Sequence, residues 1–245
     1  GINFFGSRIY KKASNEILDI LKENIDNFKI YLIIAGTDTS QIKGISAAGV
    51  SPKSRRKTTL ADAEFFLYGA SKNHKYKLPF LDAGVTPALI SHVCSRLINA
   101  KRIVVPLGIK IRPHFSYLAV EDQSIGPAKC ITTGKSMTRK RVLNLYSKGL
   151  EIGKSLKQPI LISECVPGGT TTAQAVMEAF GLQVSNLVGS SLFSAPRELK
   201  RKVIQTALLK ANLKNNFDSF DVISSVGDPF QAFSMGLLIG ARFAK

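Results

Sequence analysis

The chain has 245 residues, 44% apolar and 21% charged, a globular composition with enough length to bury a substantial core, which excludes a disordered or fibrous protein. Lys and Arg number 34 against 17 Asp and Glu, giving a net charge of +17 and an isoelectric point near 9.9, so anionic partners, nucleic acid included, come into consideration. No apolar run reaches the roughly 18 residues of a membrane span, and the start GINFFGSRIYKK has too short an apolar core for a signal peptide, so a cytoplasmic protein is expected.

Ile17, Leu21, Ile25 and Phe28 recur at spacings of four, four and three, which predicts an amphipathic helix over residues 14–27 with Ser14 as N-cap. Residues 29–35 (KIYLIIA) form a nearly continuous apolar run ended by Gly36, the pattern of a parallel strand covered on both faces. A helix is expected over 87–100, a short strand over 102–105, a helix over 139–156 and a second buried strand over 159–163 (PILIS). A Pro-Gly-Gly turn then leads to helices over 171–180 and 196–213. Residues 220–226 (FDVISSV) are expected as a strand and 229–244 as a final helix opened by Pro229.

Helices alternating with short apolar strands imply an α/β protein with a mostly parallel sheet and helices on both faces, a Rossmann-like three-layer arrangement. One domain is expected over 1–245, with the Pro- and Gly-containing stretch 106–138 as an irregular lobe or long connection. The last residues have helical composition and no C-cap signal, so the chain is expected to be incomplete at its C-terminus. Ligands of such sheets sit outside the carboxyl ends of the strands, which directs attention to the loops after Ala35, Ser163 and Val226.

The sharpest of these loops is Glu164-Cys165-Val166-Pro167-Gly168-Gly169-Thr170-Thr171-Thr172. Two glycines allow close backbone approach, three threonines offer hydroxyls, and the following helix directs N–H groups at the loop, the elements of a phosphate or carboxylate cradle. A plain strand-to-helix turn capped by Thr has the same composition. Glu164 beside an anion site is costly unless it bonds a sugar hydroxyl or holds a proton. A second candidate is Gly36-Thr37-Asp38-Thr39-Ser40 followed by Gly44-Ile45-Ser46-Ala47-Ala48-Gly49, where small residues around Asp38 leave room for a flat ring. The third is Val226-Gly227-Asp228-Pro229.

Several other chemistries lack their residues. Thr133-Gly134-Lys135-Ser136 ends like a nucleotide P-loop, but Lys129 stands where the first glycine belongs. No G-x-G-x-x-G follows a strand, and His74, His92 and His114 have no ligand-like spacing, so neither a dinucleotide, a metal nor any other cofactor is expected. Cys94, Cys130 and Cys165 are an odd number with no C-x-x-C pair, which argues against a disulfide framework. The basic residues fall in short groups, among them Arg55-Arg56-Lys57 and Arg139-Lys140-Arg141, with no interleaved aromatic stripe; a solvated basic surface is the simpler reading than a nucleic-acid face.

Taken together, Gly36-Thr37-Asp38 with Gly44 to Gly49, Ala61-Asp62-Ala63-Glu64-Phe65, Glu164 to Ala173, and Gly227-Asp228-Pro229-Phe230-Gln231-Ala232 resemble the nicotinate-nucleotide:dimethylbenzimidazole phosphoribosyltransferases, most closely a divergent branch of them. The Glu-x-x-x-Gly-x-Thr-Thr element is the most specific part. The resemblance implies transfer of the 5-phosphoribosyl group of nicotinate mononucleotide to an aromatic base, giving an α-ribazole phosphate for the lower ligand of a cobamide, in a homodimer. By matching positions it implies that Glu164 and Gly168, Gly169, Thr170 and Thr171 form the mononucleotide loop. It further implies that Lys202 is the basic residue near the phosphate, that Gly227 and Asp228 line the site, and that Asp38 and Ser46 face the aromatic base. Glu164 and Asp228 are then the catalytic carboxylates. Two departures stand out: Cys165-Val166-Pro167-Gly168-Gly169 replaces the Met-Gly-Ile-Gly-Asn of the better-known members, and Asp228 replaces the second glycine of a Gly-Gly pair. The alternatives are a non-catalytic nucleotide-binding protein of the same fold, or a basic nucleic-acid-associated protein.

Overall fold

The structure, a computed structural model, describes residues 8–49, 51–78 and 86–244. Three strands, β1 (Lys29–Ala35), β2 (Lys101–Leu107) and β3 (Ile160–Cys165), pair in parallel with β1 in the middle, Leu32 lying opposite Val104 on one side and Ser163 on the other. The described residues also form eight helices: α1 (Arg8–Glu23), α2 (Pro52–Tyr68), α3 (Ala88–Leu97), α4 (Arg139–Lys154), α5 (Gly169–Ala179), α6 (Arg197–Ala211), α7 (Ser219–Val226) and α8 (Pro229–Arg242).

The period-two alternation of β1 divides the core. Tyr31, Ile33 and Ala35, with Val105 and Leu107 of β2, pack against Val142 and Leu145 of α4 and Phe233 and Leu237 of α8. Ile30, Leu32 and Ile34, with Val104, pack against Leu60, Ala63 and Phe66 of α2 on the opposite face. β1 and β2 are therefore covered on both sides, whereas β3, expected as a buried strand, has no fully buried residue and leaves Leu161 and Glu164 exposed, because it pairs on one side only. A third cluster joins α5, α6 and α7 through Ala175, Ile204, Ala207, Val222 and Val226.

The α4 and α8 helices meet backbone to backbone. A Cβ on Gly149 would collide with the carbonyl of Phe233, one on Gly153 with that of Leu237, one on Gly236 with that of Tyr146, and one on Gly240 with that of Leu150. Glycine on both helices is thus what allows the close approach.

Three further sequence expectations are corrected. Residues 220–226, expected as a strand, form α7: Asp218 caps the helix in a reciprocal box with Asp221, and Val222, Ile223 and Val226 bury one helical face. A seven-residue apolar run cannot separate the two periods without that cap. The first helix begins at Arg8, which places Ser14 inside it. Sequence periodicity also missed α2, whose buried residues include Arg55, Thr58, Thr59 and Glu64 beside Leu60 and Phe66 and so form no single apolar stripe. Ser51 and Ser54 nevertheless cap it reciprocally, with Pro52 in the first turn.

Beyond β2, the stretch to residue 138 is irregular, as expected, with only two short 3-10 turns, Gln123–Ile125 and Ile131–Thr133. Its anchor is Glu121, which accepts from the Gly108 amide at 2.6 Å and pairs with Arg141 of α4 at 2.7 Å, both side chains nearly buried.

Candidate functional site at the strand ends

The carboxyl ends of the three strands converge on a cavity of about 360 Å³. Gly36, Thr37 and Asp38 after β1, Ile109 to Ile111 after β2 and Pro167 after β3 contribute to its wall, and α2 adds Arg55, Arg56 and Thr59. Gly36 is required sterically, since a Cβ there would strike the carbonyl of Gly108 in the neighbouring loop. A larger hollow of about 760 Å³ lies along α4 against residues 120–129 and includes Lys129 and Lys140, but none of the predicted site residues borders it.

Asp38 opens a 3-10 turn (Asp38–Gln41) capped by the Thr37 hydroxyl and forms an ion pair with Arg56 at 2.7 Å at the cavity wall. Arg55 turns inward and is buried, donating to the carbonyls of Gly49 at 3.0 Å, Ser40 at 2.8 Å and Ile42 at 3.0 Å. It fixes the 40–49 loop by hydrogen bonds from Nε and Nη1. Ser46 is buried within that loop, 3.3 Å from the Ser191 hydroxyl, and lies outside the cavity wall.

The glycine loop touches the Asp38 turn directly. Gly168 has φ of +82°, which favours glycine, and a Cβ there would stand 3.2 Å from the Ser40 amide. The amide of Gly169 bonds the Val166 carbonyl, and those of Thr171 and Thr172 bond Gly168. Thr171 and Thr172 are fully buried and Thr170 is exposed, so the outward part of the α5 start is Gly169 with Thr170. The Thr172 hydroxyl lies 2.5 Å from Asp228 Oδ2 and 2.9 Å from the Gly169 carbonyl.

Glu164 stands at the end of β3, its Oε2 3.8 Å from the position of a Cβ on Gly169. Its carboxyl titrates at about 7, pushed up from 4.5 chiefly by the surrounding protein, then by Asp228, against a lowering hydrogen bond from the Val166 amide. The residue keeps solvent-facing surface, because β3 pairs on one side only, and solvent moderates both effects. Asp228 is 1% exposed and caps α8 reciprocally with Gln231. Burial raises its pKa, while hydrogen bonds from Thr172 and from the Gln231 and Phe230 amides lower it. Asp228 therefore presents no open surface to the cavity and touches Thr172 at the start of α5 and the first turn of α8. Gly227 caps α7, and a Cβ there would meet Gln231 Oε1 and the Ile223 carbonyl.

Lys202 lies on the exposed face of α6, 3.5 Å from Glu198, and does not line the cavity. Lys200, two residues earlier, is the buried one: it is 2% exposed and donates to the Gly189 carbonyl at 2.9 Å, with burial lowering its pKa and Glu178 opposing that shift. Residue type alone could not distinguish the two. Arg56 and Thr59 were missed as cavity residues because α2 was not foreseen. Asp62, quoted in the sequence only as part of the Ala61–Phe65 segment, does not line the cavity; it accepts from Thr86 Oγ1 at 2.6 Å and from the Cys165 thiol at 3.3 Å, and burial raises its pKa against those two lowering bonds. Burial, then Asp62, raises the Cys165 thiol well above its ordinary value, which fits a packed cysteine and not a nucleophile. Among the described residues no group of three or more His, Cys, Asp and Glu could hold a metal, and no helix is long and apolar enough to cross a membrane.

A family model described as phosphoribosyltransferase matches residues 43–245. A UPF0284 protein of Prochlorococcus marinus (strain MIT 9312) is 74% identical over the whole chain, and one of Parasynechococcus marenigrum (strain WH8102) is 40% identical over 242 residues. The chain spans 64% and 61% of the length of these relatives. Among solved structures, CobT from Thermus thermophilus superposes with a TM-score of 0.66 at 15% identity, covering 97% of this chain and 67% of that one. A nicotinate-nucleotide-dimethylbenzimidazole phosphoribosyltransferase from the same organism gives 0.60 at 15% identity, covering 88% and 58%. The two superpositions show the shared fold. With the model match across most of the sequence, the chain belongs to the phosphoribosyltransferase family, in the divergent branch that carries the UPF0284 label.

Proposed function

We propose that this protein transfers the 5-phosphoribosyl group of nicotinate mononucleotide to an aromatic base, releasing nicotinate and forming an α-ribazole phosphate for cobamide assembly. The observation that carries the reading is Glu164: a carboxyl poised near neutrality at a strand end, against a glycine turn and a helix start, with a ring-sized cavity bordering the same loop at Pro167. The acceptor base lies in that cavity near Asp38, and Gly168, Gly169 and Thr170 line the mononucleotide. Thr171 acts from beneath as packing and Gly227 as a steric support. Ser46 acts through the loop it holds, and Lys202 supplies positive charge from the rim of α6.

In the transfer, a ring nitrogen of the base bonds to the anomeric carbon as the bond to nicotinate breaks, with inversion, through a cation-like sugar. The ring proton passes to the Glu164 carboxylate, whose negative charge also stabilises the sugar cation. Asp228 raises the proton affinity of Glu164 and holds the two helix starts together. Association into a homodimer and a cytoplasmic location belong to the same proposal.

Calorimetry with nicotinate mononucleotide, followed by chromatography for released nicotinate in the presence of a benzimidazole, tests it. Binding with nicotinate release that Glu164→Gln abolishes is the expected result. Absence of nucleotide binding would remove the reading, and binding without release would favour a non-catalytic nucleotide-binding protein.

A further inference from the structure

The strand-end cavity carries more positive charge than its own wall neutralises. Three cations border it, Arg55, Arg56 and Lys110, against one carboxylate, Asp38, which Arg56 already holds at 2.7 Å. Arg55 is 6% exposed and spends Nε and Nη1 on the carbonyls of Gly49, Ser40 and Ile42. Its Nη2 has no hydrogen-bond partner among the described residues and, unlike the Thr59 hydroxyl of the same wall, is not sealed from solvent. No carboxylate among the described residues pairs with Arg55, whereas Arg141, the guanidinium buried beneath the 106–138 stretch, is held by Glu121 through two nitrogens at 2.7 Å and 2.9 Å. Lys110 follows β2 with its stem over Gly126, where a Cβ would meet Lys110 Cε, and its exposed ammonium has no ion-pair partner among the described residues. A buried cation without an opposite charge is costly, and the space bordering this one admits the missing anion.

Elsewhere the wall is apolar, with Ala35, Ile109, Pro127 and Pro167 offering contact surface to a ring. A volume of about 360 Å³ falls in the range of small-molecule sites, which pair apolar walls with a few placed polar groups. We propose that the strand-end cavity takes a planar heteroaromatic ring carrying a carboxylate, which pairs with Arg55 Nη2 and Lys110 Nζ while the ring lies against the apolar wall. The proposal rests on the reading above that a ring enters this cavity, and gives that ring a charge. Nicotinate, the group released in the proposed transfer, has the same chemistry, so the carboxylate belongs either to the acceptor or to nicotinate. The general surface charge of +17 attracts anions of any shape. A built pairing instead separates a carboxylate from a carboxamide of the same outline, because hydrogen bonds to a charged acceptor are about twice as strong as neutral ones.

The test is calorimetric binding, without nucleotide, of two matched pairs: benzimidazole-5-carboxylate with benzimidazole-5-carboxamide, and nicotinate with nicotinamide. The proteins are the wild-type chain, Lys110→Gln and Lys22→Gln; Lys22 is exposed on α1 and lies outside the cavity wall, so its loss removes the same charge elsewhere. In at least one pair the carboxylate is expected to bind about tenfold more tightly than the amide to the wild type and to Lys22→Gln, and about threefold more tightly to Lys110→Gln, where Arg55 alone remains. A preference in the benzimidazole pair assigns the carboxylate to the acceptor, and one confined to the nicotinate pair assigns it to the leaving group; both support the proposal. Equal affinities within both pairs, no binding of any probe, a preference unchanged in Lys110→Gln, or one that falls equally in Lys22→Gln would overturn it. Nicotinate release from the mononucleotide is scored separately. A Lys110-dependent preference with no release retains the cavity assignment and removes the transferase reading, whereas release without the preference does the reverse.

Discussion

Asparagine and alanine at position 228 separate what the Asp228 carboxylate does by shape from what it does by charge. The Thr172 hydroxyl has one proton and two acceptors within reach, Asp228 Oδ2 at 2.5 Å and the Gly169 carbonyl at 2.9 Å. When Asp228 carries a proton, it donates to Thr172, which donates to Gly169, and every group is satisfied. When Asp228 is ionised, one acceptor is left without a proton. An asparagine reproduces the satisfied state, with Nδ2 donating to Thr172 and Oδ1 accepting from the Gln231 amide as Asp228 Oδ1 does at 3.3 Å. Alanine loses the N-cap of α8, about 1 kcal/mol, and the Thr172 bond, about 1 kcal/mol. The sum of about 2 kcal/mol lowers the melting temperature by about 4–8 °C in a chain of this size, while Asp228→Asn stays within about 2 °C of wild type. The pH dependence has a definite sign. Burial raises the native pKa of Asp228 above its ordinary 3.8, so its favourable contribution is present at low pH and is lost as pH rises through the native value. Asp228→Asn escapes that loss and gains on wild type as pH rises. Thermal melts across pH 3 to 8 by circular dichroism read both effects. If Asp228→Asn is destabilised as much as Asp228→Ala, the charged form is the required one and the reasoning is refuted.

Glu164 carries the same sign with its native value near 7, and a base must be ionised to accept a proton. The rate of nicotinate release is therefore expected to rise with pH through about 7, and Asp228→Asn to move that midpoint downward by removing the neighbouring charge; an unmoved midpoint in pH–rate profiles would contradict the coupling. Gly236→Ala gains about 1 kcal/mol of helix propensity but forces a Cβ onto the Tyr146 carbonyl in the α4–α8 contact, so a net loss of stability by urea denaturation is expected. A gain would show that the two helices separate easily. Glu64 is 2% exposed, accepts from the Lys75 amide at 2.9 Å and the Tyr76 amide at 2.8 Å, and lies 2.9 Å from His114 Nε2. Glu64→Ala should cost about 2–4 kcal/mol by the same denaturation assay, since it leaves buried donors unpaired.

The sheet was legible in the sequence because β1 and β3 are short apolar runs ended by glycine-bearing turns, but burial confirms that signal only in β1, which is buried almost throughout, while β3 lies at the sheet edge with no fully buried residue. What escaped were elements whose faces are mixed. The α2 helix buries Arg55 and Glu64 for hydrogen bonding and Thr58 and Thr59 beside its apolar residues, so no stripe appears. In α7 the capping by Asp218 and Asp221 overrides the strand character of a short Val- and Ile-containing run. The same division holds at the candidate site. Asp38 was readable as a cavity-wall residue because it sits at a strand end in turn-forming company, while Glu164 and Gly168, picked out by the same signal, flank the cavity without lining it. Thr59 was not readable, since a threonine in an unforeseen helix carries no signal until that helix is placed against the cavity. The roles of Lys200 and Lys202 depend on which side of α6 faces Gly189 and Glu178, a tertiary fact that their shared residue type conceals.

The most direct measurement is a crystal structure of the chain with nicotinate mononucleotide. The account predicts difference density with the ribose beside Glu164, the phosphate against Gly169 and Thr170, and the strand-end cavity left open for the acceptor ring. Density in the α4 hollow near Lys129 and Lys140, with the Glu164 loop empty, would contradict it.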